Sequence, residues 1–327
     1  MQNSLTRTYL PPKLLLVISR ALAALGPSLI ALLIMQASNF NQGGESPISF
    51  CNVLFVGNLC AALTVGTWFG WRAIFADLKS LKRKLLVGLV INGCLSALLS
   101  ALIFSGLMFT SVTNSILLAR FGPVIYALAG ALVLGQNIKK LEWFGFSLIG
   151  VGIIAIVLKS SNFQINTGDV LILASALVYA TTALISKVVL AKECSLRIVV
   201  FTRNAISAIV FFFIANILFG PHHFGDAFSG QLWIIMSVYA LFVIVLAQFS
   251  WYAALEKLDS KTLGKWTVLS PVFGITYALV LNGERPSSIQ VSAFVVIMTG
   301  LILSNLSIGK KMPKGMPDSA ENSVSAS

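Results

Sequence analysis

Apolar residues run in long blocks along the whole chain, and short polar segments separate the blocks. Each block can cross a hydrocarbon core of about 30 Å, which takes about 20 helical residues. The pattern therefore predicts an all-α polytopic membrane protein with ten spanning helices. Their expected bounds are 13–36, 49–71, 85–107, 112–134 and 142–159, then 169–190, 197–219, 231–254, 264–282 and 288–307.

Prolines and glycines recur at one fixed offset along the chain. Three pairs are each 148 residues apart: Pro123 with Pro271, Gly135 with Gly283, and Gly152 with Gly300. A recurrence of this kind indicates an internal repeat. With five spans in each half, the second half must enter the membrane from the opposite side, so we expect two inverted five-helix repeats, 13–160 and 168–307. Inverted repeats are typical of transporters, with the substrate site between the halves.

Charge is scarce and unevenly placed. Charged residues make up 10% of the chain, whereas a soluble domain has about a quarter. If both termini are cytoplasmic, 18 of the 23 Lys and Arg residues fall on the cytoplasmic side and two, Lys159 and Arg285, fall outside. This asymmetry follows the positive-inside rule. The net charge of +12 therefore predicts orientation in a cell inner membrane, not a nucleic-acid partner. Segment 1–12 is then a cytoplasmic N-terminus, and 308–327 is a disordered cytoplasmic tail.

The spans lack the side chains that most intramembrane chemistry requires. No predicted span has His, Asp or Glu in its interior, and the four cysteines show no paired spacing. An intramembrane enzyme needs buried acid–base or metal-binding residues, so we expect no enzyme, no metal and no cofactor. Exporters of organic cations usually place a carboxylate inside the membrane, so a cationic substrate is disfavoured. Glu284 and Asp169, near the outer face, remain candidates for ion coupling.

A family resemblance rests on motifs of the two repeats. The second repeat carries Pro271, Gly283, Glu284 and Gly300, and it opens with "GDVLILASALVYATTALISK" at 168–187. In these features the chain resembles the ten-helix EamA-type permeases of the drug/metabolite transporter superfamily. The resemblance implies two five-helix repeats and transport of amino acids, other metabolites or drugs.

The first repeat departs from that pattern at two positions. Gln136 occupies the position where the family usually has Glu. Arg203 matches an arginine often found in the second helix of each repeat, and the equivalent position of the first repeat is Gly57. Arg203 is a candidate substrate contact. It lies near the end of its span and could instead extend to the membrane surface.

Pro123 and Pro271 each fall inside a predicted span. A proline within a helix removes one backbone hydrogen bond and leaves the carbonyl four residues back unpaired. The carbonyls of Ala119 and Thr267 are therefore expected to be free, which is tolerable only toward protein or a wet cavity. Both prolines are predicted to line one central cavity, unless a neighbouring side chain satisfies each kink.

Arg120 is the main candidate for binding substrate. It lies 7–8 residues into its span, where a charge costs roughly 2.5–3.5 kcal/mol. A cation without an acidic partner in the spans predicts an anionic or carboxylate-bearing substrate. The alternative is an arginine satisfied by carbonyls and water, or one that reaches the surface.

Polar side chains also share helix faces at i, i+4 or i, i+3 spacing, as Tyr179 and Thr182 do in the sixth span and Gln248 and Tyr252 in the eighth. Such faces line cavities or join helices. The predicted substrate-binding set is Arg120, Pro123, Thr267, Pro271, Tyr179, Thr182, Arg203, Gln248 and Tyr252.

Together these features predict a permease that moves a small metabolite outward by alternating access. The expected substrate is an amino acid or another carboxylate-bearing solute. A lipid or isoprenoid flippase, or a membrane scaffold or sensor that transports nothing, is the alternative. The expected partners are the substrate and the lipid bilayer, without nucleic acid, and both a monomer and a homodimer remain open.

Overall fold

The computed structural model describes residues 10–35, 50–135, 137–159, 166–186, 190, 194–218, 229–255, 258, 266 and 268–307, and no β-strand occurs among them. The first half contains α1 (Pro12–Met35), α2 (Phe50–Phe69), α3 (Trp71–Ser80), α4 (Arg83–Leu107), α5 (Val112–Leu118), α6 (Phe121–Leu134) and α7 (Lys140–Lys159). The second half contains α8 (Thr167–Ile185), α9 (Leu196–Leu218), α10 (Gly230–Tyr239), a π-helical segment (Ala240–Leu246), α11 (Ala247–Leu255), α12 (Leu269–Asn282) and α13 (Ser288–Ser307).

Within the described residues, nine helical stretches are long and apolar enough to cross a membrane, one of them formed by α5 and α6 together. The 14-residue α12 is a shorter apolar helix and lies in the ninth predicted span. The prediction of an all-α polytopic membrane protein is confirmed.

The helices of the two halves pack in matching pairs. α7 packs on α13, and α2 packs on α9. The contacts of α1 with α11 and α12 match those of α8 with α4 and α6, and the contact of α2 with α10 matches that of α4 with α9. Exchanging the two halves therefore maps these particular pairs onto one another.

The first helices of the two halves run in opposite directions. Late in α1, the Ser28 carbonyl accepts a hydrogen bond of 3.1 Å from Asn282, two residues before Glu284. The first turn of α8 lies at that same end of the bundle, where Asp169 accepts a hydrogen bond from Thr110. We call this the Glu284 end. The opposite end is the α3 end. α1 therefore finishes where α8 begins, as an inverted pair requires.

The glycines at the 148-residue offset include the caps of two matching helices. α6 and α12 have 14 residues each and occupy equivalent positions in the two halves. Both are followed by a glycine in the left-handed conformation, Gly135 with φ 62° and Gly283 with φ 65°. Residues with a Cβ rarely adopt this conformation, which reverses the chain at the end of a helix.

Glycines also set the packing of α7 on α13. A Cβ on Gly145 would lie 2.6 Å from the Gly300 carbonyl oxygen, and one on Gly152 would lie 2.5 Å from the Ile297 side chain. A Cβ on Gly150 would meet nothing within 4 Å. Gly145, Gly152 and Gly300 therefore allow the two helices to pack closely, whereas Gly150 does not contribute to this contact.

Candidate transport site

The predicted fourth span, 112–134, is not one continuous helix. α5 ends at Leu118, Ala119 and Arg120 form a turn, and α6 begins at Phe121. Pro123 therefore occupies the first turn of α6, where a backbone N–H has no helical partner in any case. The Ala119 carbonyl, which was predicted to be free, accepts the Gly122 N–H at 3.1 Å. The prediction of a proline-kinked helix was wrong here because the helix breaks before the proline.

Pro271 occupies the same place in the second half. It is buried and is the third residue of α12, which begins at Leu269. Thr267, whose carbonyl was also predicted to be free, lies outside the described residues. The two prolines therefore start equivalent helices.

Arg120 stands at the break between α5 and α6. Its side chain is half-buried, and its Nε–H donates a hydrogen bond of 3.2 Å to the Ile116 carbonyl. A guanidinium has five N–H donors, so this bond uses one of them. Within the described residues, no carboxylate forms an ion pair with Arg120; the pair seen there joins Arg197 to Asp77. The hydrogen bond to the Ile116 carbonyl agrees in part with the alternative interpretation, in which backbone carbonyls and water satisfy Arg120.

Tyr179 of α8 lies beside this break. A Cβ on Gly122 would lie 2.8 Å from the Tyr179 ring, so this glycine lets α8 approach the start of α6. Tyr179 is also close enough to Arg120 to interact with it electrostatically, and it remains 45% exposed. Gly274 of α12 packs against Ile116, where a Cβ would meet that side chain at 2.8 Å.

The structure therefore brings Arg120, Pro123 and Tyr179 together, with α12 packed against the adjacent α5. Thr182 is buried one turn further along α8, and its hydroxyl donates to the Tyr179 carbonyl at 2.8 Å.

Three other predicted site residues lie on helices with different neighbours. Arg203 is on α9, which packs on α2 and α4. Gln248 and Tyr252 are on α11, which packs on α1, and the side chain of Tyr252 lies outside the described residues.

Sequence reasoning missed the role of Glu284. Gly283 turns the chain, and the Glu284 carboxylate then reaches the start of α5. It accepts hydrogen bonds from the Val112 N–H at 2.6 Å, the Thr113 N–H at 2.9 Å and the Thr113 hydroxyl at 2.8 Å. The first amides of a helix lack partners within the helix and carry partial positive charge, so a carboxylate is favourable there. The second half thereby holds the helix that leads to Arg120.

Buried side chains extend this contact across the Glu284 end. Gln290 of α13 donates to the Asn114 side-chain oxygen at 2.7 Å, and Asn114 lies 3.4 Å from Asp169 as a donor. Asp169 is fully buried. We call this group the polar cap; its members are Thr110, Thr113, Asn114, Asp169, Glu284 and Gln290.

One sequence signal could have indicated part of the polar cap. Ser287 and Gln290 form a capping box at the start of α13, in which the Ser287 N–H donates to Gln290 Oε1 at 2.7 Å and the Gln290 N–H donates to Ser287 Oγ at 3.3 Å. The S-x-x-Q spacing is visible in the sequence. Its second use, directing the Gln290 amide toward Asn114, depends on how the halves meet.

Comparison with known proteins adds an independent line of evidence. Residues 166–306 match the EamA-like transporter family. The chain is 31% identical over 292 residues to an uncharacterized transporter of Synechocystis sp., covering 85% of this chain and 83% of that protein. It is 25% identical over 184 residues to a Salmonella typhimurium protein named "Probable amino-acid metabolite efflux pump", covering 54% of this chain and 61% of that one.

A solved crystal structure shares the fold. It superposes with a TM-score of 0.55 at 16% sequence identity, covering 88% of this chain and 97% of that one. The likeness in sequence to transporters extends over most of the chain, and it coincides with a bundle of membrane-spanning helices in two interlocked halves. The chain belongs to the EamA-like transporter family of the drug/metabolite transporter superfamily, and it is a multi-pass membrane permease.

Proposed function

We propose that the protein exports a small carboxylate-bearing metabolite, such as an amino acid, across a cell inner membrane by alternating access. The distribution of Lys and Arg supports an orientation with both termini in the cytoplasm. In this orientation the α3 end faces the cytoplasm and the Glu284 end faces outward.

The observation that carries this proposal is the environment of the Arg120 side chain. Its guanidinium is half-buried at a helix break and has no acidic partner among the described residues. Holding such a charge away from water is costly, and a substrate carboxylate would offset that cost. The planar fork of a guanidinium also matches the two oxygens of a carboxylate, which favours this substrate class over a neutral solute.

Two further observations support the substrate class and the direction. The Tyr179 ring lies against the start of α6, so its hydroxyl is available near Arg120 as a further hydrogen-bonding group. The Salmonella typhimurium relative carries the name of an efflux pump for amino-acid metabolites.

The polar cap supports a mechanism of alternating access. Glu284 holds the first residues of α5, and Arg120 follows the last residue of α5 by two positions. A helix of this length spans about 10 Å. Binding of substrate to Arg120 therefore acts on α5, the same short helix that Glu284 holds at the other end. Release to the outside then requires Glu284 to leave the α5 amides.

The test compares metabolite export by cells that produce the wild type, Arg120→Gln, Arg120→Lys or Arg285→Gln at matched membrane levels. Mass spectrometry of the medium identifies the exported compounds. We expect Arg120→Gln to lose export of a carboxylate-bearing set by tenfold or more, because a hydrogen bond to a charged group contributes about 1.5–3 kcal/mol. Arg120→Lys keeps the charge without the fork and should retain part of the export.

Arg285 is exposed, so the Arg285→Gln control should export at the wild-type level. Wild-type export by Arg120→Gln would make Arg120 a structural residue and remove the support for an anionic substrate. An exported set without carboxylates would contradict the substrate class directly.

A further inference from the structure

α3 is a short amphipathic helix between two membrane spans. Gly70, with φ 82°, turns the chain out of α2 and directly into α3. At ten residues α3 is too short to cross a membrane. Ile74 is fully buried, and Leu78 packs against the same core. α3 therefore lies against the bundle with one face and leaves the other face exposed.

The exposed face of α3 begins with an aromatic edge. Trp71 and Phe75 are 37% and 51% exposed, and their rings stack at 6.2 Å between centroids. Trp71 is held in place from the other side, because its ring lies on Gly66 of α2. Exposed aromatic side chains at the end of a membrane span are typical of the lipid–water interface.

Basic side chains continue that face. Lys79 follows Trp71 and Phe75 at i+4 spacing, and Arg72 lies on the same side of the helix; both are exposed. Lys82, Arg83 and Lys84 come directly after α3, so the stretch 72–84 contains five basic residues. Arg83 and Lys84 occupy the first turn of α4, where the helix dipole disfavours positive charge. An external anion would relieve that repulsion.

Asp77, the acidic residue of this stretch, is already paired with a basic residue outside it. Asp77 accepts a hydrogen bond of 2.7 Å from Arg197 Nε and forms an ion pair with the same guanidinium. Among the residues that the structure describes, no carboxylate pairs with Arg72, Lys79, Arg83 or Lys84. The surface therefore presents its positive charge outward, next to exposed aromatic rings.

We propose that this surface, formed by Trp71, Arg72, Phe75, Lys79 and Lys82 to Lys84, binds the headgroups of anionic phospholipids. α3 lies in the membrane interface with its aromatic edge toward the acyl chains and its basic side chains at the level of the phosphates. A group of four to eight Lys and Arg beside a membrane span is the arrangement that attracts anionic lipid.

The test measures lipid binding to the purified full-length protein by native mass spectrometry. Phosphatidylglycerol is the probe, and phosphatidylcholine is the neutral reference. We expect Arg72→Gln/Lys79→Gln to weaken phosphatidylglycerol binding by roughly fivefold for each basic residue removed, and high salt to have the same effect on the wild type.

Lys139→Gln/Lys140→Gln removes the same charge from another exposed basic pair and should leave binding unchanged. The proposal is overturned if the α3 variant binds phosphatidylglycerol as the wild type does, or if the control variant loses as much. It is also overturned if the wild type binds both lipids equally.

A second measurement keeps all the basic residues, so it does not depend on whether the charge variant folds. Wild-type protein is placed in vesicles with brominated phosphatidylglycerol or brominated phosphatidylcholine, and tryptophan quenching is recorded. The quenching that Trp71→Phe abolishes should be greater with the anionic lipid. Equal quenching by the two lipids at this position would contradict the proposal.

Discussion

The two ends of the bundle are held together by different chemistry. At the Glu284 end, side chains of both halves meet in the polar cap, where the partly buried Glu284 carboxylate accepts three hydrogen bonds. At the α3 end, the polar contacts between the halves include the Asp77–Arg197 pair, whose side chains are 29% and 34% exposed. Three hydrogen bonds to one carboxylate are worth more than a single partly exposed ion pair. Separating the two halves at the Glu284 end should therefore cost more free energy than separating them at the α3 end.

The largest effect is expected from Glu284→Ala. The variant leaves two N-terminal amides of α5 and the Thr113 hydroxyl without their acceptor, and hydrogen bonds to a charged group are worth about 1.5–3 kcal/mol each. We expect a loss of about 3 kcal/mol in stability. The buried thiols of Cys51 and Cys60 report unfolding through a thiol-reactive dye, in a background with Cys94→Ser and Cys194→Ser.

Glu142→Ala is the matched control for this prediction. Glu142 also accepts a backbone N–H at the start of a helix, from Lys139 at 3.3 Å, but in an exposed position. Its loss should cost less than about 1 kcal/mol. Equal losses for the two glutamates would mean that the three hydrogen bonds of Glu284 stabilise the protein no more than the single bond of Glu142.

The glycine contact between α7 and α13 provides a reference stability loss that does not involve the polar contacts of either end. Gly300→Ala places a methyl group 2.5 Å from the Gly145 carbonyl oxygen, and such overpacking typically costs 1–3 kcal/mol. We expect a loss of about 2 kcal/mol in the same thiol-labelling measurement. Gly150→Ala meets open space and should be neutral or slightly stabilising. A neutral Gly300→Ala would show that α7 and α13 can separate without cost.

A smaller effect is expected from coupling within the polar cap. Asn114 and Gln290 share a buried hydrogen bond of 2.7 Å between the halves. A double-mutant cycle with Asn114→Leu and Gln290→Leu should give a coupling of about 1 kcal/mol. Additive losses in the thiol-labelling assay would indicate that the two residues act separately and that the polar cap is not one network.

The smallest effect is expected at the α3 end. Asp77→Asn removes the acidic partner of Arg197 from a partly exposed pair, which should cost about 0.5 kcal/mol and become undetectable at high salt. A loss as large as that of Glu284→Ala, or one that salt leaves unchanged, would remove the difference between the two ends.

The break before Pro123 shows why a sequence motif can be recognised and its role still misjudged. The proline at the repeated offset was visible, but whether it kinks a helix or begins one depends on the partners of Ala119 and Arg120. Both find local acceptors or donors, Ala119 with Gly122 and Arg120 with Ile116. The π-helical segment Ala240–Leu246 inside the eighth predicted span left no comparable signal in the apolar pattern.

α3 was missed for a different reason. A search for blocks of about 20 apolar residues passes over a ten-residue helix, although Ile74 and Leu78 already show the i, i+4 spacing of a buried face. The polar cap was beyond such a search, because Glu284 meets a helix 171 to 172 residues earlier in the chain. Pairings at that distance follow from the packing of the two halves.

The sequence by itself determined the apolar blocks of an all-α membrane protein and showed the recurring prolines and glycines, because each is a local property of the chain. It also indicated Arg120, since an isolated charge in an apolar block is conspicuous without any structure. The tertiary structure alone decided that Arg120 stands at a helix break beside Tyr179 and that Glu284 holds the other end of the same short helix. Those relations depend on which surfaces of two inverted halves meet, and no local pattern specifies that.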